Sequence, residues 1–122
     1  MEKLKSDKVP IPLQTRTKTF AIYTFKFCKQ IGISPLNEHM IKQLLRSSSS
    51  VGANYFEASE TDTKKDFSNK IRIARKEAKE SMYWTDLLIE TLPQQYSKDL
   101  MYIRDEAMQL VKILAAIYEK TK

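Results

Sequence analysis

The amino-acid sequence predicts an all-α fold, an antiparallel up-down-up-down four-helix bundle, on three observations. Apolar residues recur at spacings of three and four in four separate stretches, the period of one helix face. Helix breakers fall between those stretches, notably Gly32, Pro35 and Pro93. The connections they leave are only a few residues long, which makes consecutive helices lie antiparallel. With 2 Gly and 4 Pro in 122 residues, the chain lacks the tight turns of an all-β domain.

Each element has its own warrant. Residues 1–12 mix charge with Pro10 and Pro12 and show no period, so they read as an N-terminal arm ahead of a bundle domain over 13–122. The first helix is expected over 15–31: Phe20, Thr24, Phe27 and Ile31 share a face, and Gly32 suits its stop. Ser34-Pro35 announces a second helix over 35–59, with serine as cap and proline at the first position, where no N–H is needed. Its inward face reads Ile41, Leu44, Ser48, Val51, Tyr55 and Ala58. The run Ser47-Ser48-Ser49-Ser50 resembles a linker by composition, but the face continues through it, and small side chains there admit a close neighbouring helix. A third helix over 63–92 opens on Thr63 with Asp66 three residues on, a variant capping box. Phe67, Ile71, Ala74, Ala78, Ser81, Thr85, Leu88 and Leu92 form its seam. The fourth, over 96–120, carries the seam Leu100, Ile103, Ala107, Leu110, Leu114 and Ile117, and a second one beside it: Met101, Met108, Val111, Ala115 and Tyr118.

Composition narrows the function. The single cysteine, Cys28, and single histidine, His39, exclude a disulfide framework, a Cys-rich zinc site and a multi-His metal site. Cys28 reads as a small core residue and His39 as a half-exposed helix residue. There is no glycine-rich phosphate loop, nucleophile elbow or HExxH motif, so no enzyme and no cofactor are expected. No apolar run approaches the ~20 residues of a membrane span. The N-terminus lacks the apolar stretch of a secretory signal, so a cytoplasmic location is expected.

The net charge is +6, and most of it lies in one stretch. Between Lys64 and Lys79 there are seven basic residues, opposed only by Asp66 and Glu77. Lys65, Arg72, Lys76 and Lys79 share a helical flank with Arg75 nearby, a pattern that attracts phosphates through a sequence-independent term. The competing reading is a solvated face with i,i+4 pairs, Asp66 to Lys70 and Lys76 to Glu80. Asn54 and Glu57 lie three apart on the second helix, with Arg46 and Ser50 on the same flank. They are expected to be mostly buried in a structural hydrogen-bond cluster, with Arg46 or third-helix residues as partners. Met82, Tyr83 and Trp84 are consecutive, so at least one points away from the core. From Ala107 to Tyr118 only Gln109 and Lys112 are polar, more apolar surface than a bundle core needs, which predicts a homo-oligomer.

The segment Gln43-Leu44-Leu45-Arg46-Ser47-Ser48-Ser49-Ser50-Val51-Gly52-Ala53-Asn54-Tyr55-Phe56-Glu57-Ala58 is distinctive, as are Lys64-Lys65-Asp66-Phe67, the run from Ile71 to Ser81, and Tyr83-Trp84. Together they resemble the four helix bundle protein family, also called the 23S rRNA-intervening-sequence protein family, over roughly Leu13 to Tyr118. The resemblance implies a bacterial antiparallel bundle, encoded within intervening sequences of some 23S rRNA genes or freestanding. It also implies kinship with the accessory variability protein of diversity-generating retroelements, a basic homopentamer that binds nucleic acid and a reverse transcriptase. The pentamer expectation rests on that kinship alone. Arg46, Asn54 and Glu57 carry over as motif positions without a chemical role. The resulting expectation is a non-enzymatic homo-oligomer that binds rRNA or other nucleic acid through Lys65, Arg72, Arg75, Lys76 and Lys79. The alternative is a protein–protein scaffold with no direct nucleic-acid role.

Overall fold

A computed structural model describes residues 11–122. The first ten residues of the expected arm lie outside them. Four helices make up the described chain: α1 (Leu13–Ile31), α2 (Glu38–Ala58), α3 (Lys64–Thr91) and α4 (Ser97–Thr121), with a 3-10 turn at Gln94–Tyr96 before α4. No strand occurs among the described residues. The helices pack in chain order, α3 against both α2 and α4, and α1 against α2 and α4.

The boundaries show which local signals held. α1 starts two residues before the expected position, because the Pro12 carbonyl already accepts the Arg16 N–H at 2.9 Å. It ends at Gly32, whose φ of 75° lies in the left-handed region that a Cβ disfavours. α2 does not open at Pro35. Ser34 to Asn37 form a turn in which Asn37 Oδ1 accepts the Ser34 N–H at 2.8 Å, and the helix proper begins at Glu38. The asparagine side chain competes for the local backbone donor and delays the helix by three residues. Thr63 caps α3 as expected, its hydroxyl accepting the Asp66 N–H at 3.0 Å. α3 stops before Pro93, with Leu92 extended as the residue preceding a proline must be.

The core is aliphatic at its centre: Ile41, Leu44, Ile71, Leu88, Ile103, Leu110 and Leu114 are fully enclosed. Phe20 and Phe27 bring α1 onto it. The small residues set the helix spacing. Ser47 and Ser81 are both buried and their hydroxyls meet at 2.9 Å across α2 and α3, so the serine run is a packing face. Gly52 meets Thr17 so closely that a Cβ there would lie 2.9 Å from Thr17 Oγ1 and 3.1 Å from its Cβ. α1 is further tied to α4 by Tyr23, whose hydroxyl donates to Asp99 at 2.6 Å, and by the Arg16–Glu106 ion pair at 2.7 Å. Of the second seam on α4, Val111 and Tyr118 pack on the core, while Met101 stays 46% exposed. Tyr83 is the member of its triplet that turns to solvent, with Met82 and Trp84 packed inward.

Candidate nucleic-acid interface

α3 is straight enough in period to lay its basic residues on one outer stripe. Lys65, Arg72, Lys76 and Lys79 are all exposed and span about 21 Å at 1.5 Å per residue. Exposed Tyr83 continues the stripe one turn further. Arg75 stands beside it, half-buried, with its guanidinium 5.0 Å from the centre of the Tyr118 ring on α4. That cation–π contact fixes the arginine's position without neutralising its charge. At the N-terminal end of α3, Lys64, Lys65 and Arg72 border an open cleft with Lys122, of about 660 Å3.

Two acids of α3, Glu77 and Glu80, are directed away from this charge. The expected pairs Asp66–Lys70 and Lys76–Glu80 do not form. Lys70 instead donates to Glu57 on α2 at 2.6 Å, and Glu80 pairs with Arg46. Glu77 also turns to Arg46, whose Nη1 lies 3.2 Å from Glu77 Oε1. Among the described residues, none of Lys65, Arg72, Arg75, Lys76 and Lys79 forms an ion pair; Arg72 donates to the neutral Asn69 at 2.9 Å. The local geometry favours this because Glu77 and Glu80 lie on the α2 side of α3, where a planar guanidinium can reach both.

The motif residues do not form the buried cluster expected of them. Glu57 is an exposed side chain, 55% open, held only by Lys70. Asn54 is half-buried and donates to the Ser50 carbonyl of its own helix at 2.9 Å. Arg46 bonds neither of them. It is the fork that clamps α2 to α3, and the Glu77 hydrogen bond foremost holds its guanidinium above the ordinary range. Glu57 lies about 100° round the helix from Ala58, too far to be covered, while Asn54, about 60° from Val51, is half covered. Sequence reasoning also missed Lys70 and Tyr118, whose partners lie 13 and 43 residues away along the chain, where no local period reports them.

Cys28 is enclosed, and burial pushes its thiol up to about 12, so at neutral pH it is an un-ionised core group. His39 is exposed at the edge of Trp84. Among the described residues, no three potential metal ligands converge, and no helix is long and apolar enough to cross a membrane.

The fold and this surface together define a small antiparallel four-helix bundle with a clamped α2–α3 pair and a cationic outer stripe. The profile described as "23S rRNA-intervening sequence protein" matches residues 13–116, and the chain belongs to that family. It is similar to a protein from Bacteroides thetaiotaomicron, described with its 1.70 Å crystal structure as of unknown function and from the S23 ribosomal protein family. The two are 33% identical, over 88% of this chain and 98% of that one, with a TM-score of 0.74. No curated protein matches.

Proposed function

We propose that this protein is a non-enzymatic, homo-oligomeric bundle that binds RNA or other nucleic acid through the outer stripe of α3. The observation that carries the reading is the separation of charge on that helix. Arg46 draws off Glu77 and Glu80, leaving five cations without an ion-pair partner among the described residues. Such a stripe gains affinity by releasing counterions from phosphates, with little dependence on sequence. The family's link to 23S rRNA intervening sequences makes structured rRNA the first substrate to test, and a bacterial cytoplasm the setting. Met101 and Tyr102 on α4, 46% and 48% exposed, support self-association, which would multiply weak contacts by avidity. The pentamer is the stoichiometry the family kinship favours. Charge reversal of Arg72, Arg75 and Lys79 to Glu should abolish RNA retention with helicity unchanged. Light scattering should give a multiple of 14.2 kDa; a mass of one chain would remove the oligomer.

A further inference from the structure

We infer that the seam between α1 and α2 is a docking groove for an acidic amphipathic helix of a partner protein. Two clefts of about 390 and 440 Å3 follow one another along this seam. Their surfaces are nearly all apolar: Ala21, Gly52, Ala53 and Phe56 line the first, and Phe25, Ile33 and Leu45 the second. Phe25, Ile33 and Phe56, which line them, stand 56%, 56% and 53% exposed. These three leave roughly 300 Å2 of apolar side chain in water along the seam, the lower end of the size of a functional patch. The small residues in the middle allow another backbone to come close, and the apolar positions on α2, from Leu45 to Phe56, span three turns. That is the shape a helix with apolar residues at i, i+4 and i+7 fills.

Charge selects the occupant. α1 contains no acidic residue. Its Arg16 is engaged with Glu106 on the far side, while Lys18, Lys26 and Lys29 are exposed and form no ion pair among the described residues. Lys18 borders the first cleft and Lys29 the second, 11 residues or about 16 Å apart along the helix. On α2 the facing positions Leu45, Ser49, Gly52, Ala53 and Phe56 carry no charge, and Glu38 at the groove's end is already paired with Lys42 at 2.7 Å. A helix with an apolar stripe flanked by Glu or Asp therefore meets lysines at both ends, and a basic helix is repelled. A nucleic acid is the poorer fit, since its phosphates would lie over an apolar floor with lysines only at its rim.

The test uses two fluorescent 16-residue peptides with the same leucine stripe, one flanked by Glu and one by Lys, titrated with the full chain. The acidic peptide should bind at least tenfold more tightly than the basic one. Its affinity should fall at least tenfold in Lys18→Glu/Lys29→Glu and in Phe25→Ser/Phe56→Ser. Each of these side chains is an exposed or rim position, and circular dichroism checks the fold; the lysine pair keeps the test informative if the Phe25 variant unfolds. Charge reversal on α3 should leave peptide affinity unchanged, which separates this inference from the nucleic-acid reading. Equal binding of both peptides, or no binding, overturns it. So does peptide affinity that falls with the α3 reversal instead, RNA retention that falls in Lys18→Glu/Lys29→Glu, or an oligomer that dissociates in Phe25→Ser/Phe56→Ser. The last result would assign the groove to a second copy.

Discussion

Replacing Arg46 with alanine is expected to destabilise the bundle by about 2–3 kcal/mol. The magnitude follows from the two carboxylates it holds. The Glu77 side chain is only 15% exposed, and Arg46 is its sole ionic partner among the described residues. Removing the guanidinium leaves a largely desolvated charged acceptor, a penalty of about 1–3 kcal/mol. The Glu80 pair is more open, 37% exposed, and adds about 0.5 kcal/mol or less after solvent screening. For a domain of this size the sum corresponds to a fall in Tm of roughly 8–12 °C. Urea and thermal melts of Arg46→Ala, Glu77→Gln and the double variant measure it. The neutral Gln requires no counter-ion, so the second change should cost less in the Arg46→Ala background, with a coupling of about 1–2 kcal/mol. Glu57→Ala serves as the contrast: its carboxylate is exposed, and its loss should cost about 0.5 kcal/mol or less. An Arg46→Ala protein as stable as wild type, or a Glu57→Ala protein that loses more, would refute the clamp.

Gly52→Val should lower stability by about 2 kcal/mol in thermal melts, because its branched side chain must enter space held by buried Thr17; a raised Tm, as at an open helix glycine, would show that α1 and α2 do not approach closely there. Burial, and then the Asp99 hydrogen bond, push the Tyr23 hydroxyl up to about 12 from an ordinary value of 10. The stability this confers is therefore complete below pH 10 and lost as pH rises toward 12. Tyr23→Phe should cost about 1–2 kcal/mol at pH 7 and flatten the alkaline decline between pH 10 and 12 relative to wild type. The Cys28 thiol should resist alkylation in the native state at pH 8 and react on denaturation, as a thiol count shows.

The helices were legible because each seam repeats over about three turns or more, and the long α3 and α4 came within a residue of their spans. The Thr63 cap was legible because a capping box is a local, four-residue object. The start of α2 was not, since the Asn37 side chain competes with the Ser34-Pro35 signal from two residues away. The placement of the basic residues was legible, and their pairing was not. The period places Lys65, Arg72, Lys76 and Lys79 on one exposed flank. The same period cannot say that Glu77 and Glu80 will prefer an arginine on another helix to the lysines of their own. Glu57 was misjudged for a related reason: proximity to apolar residues in sequence does not measure angular distance from the core. The groove lined by exposed Phe25 and Phe56 was not legible because these residues lie on two helices and belong to neither seam.

The salt dependence of RNA binding tests the central claim most directly. Five phosphate contacts per chain predict a slope of log affinity against log salt of about −3.5 on single-stranded RNA, or steeper in an oligomer. Wild type should show that slope, and the Arg72→Glu/Arg75→Glu/Lys79→Glu variant should retain no RNA even at low salt. Binding that is flat with salt, or that survives the reversal unchanged, would contradict it.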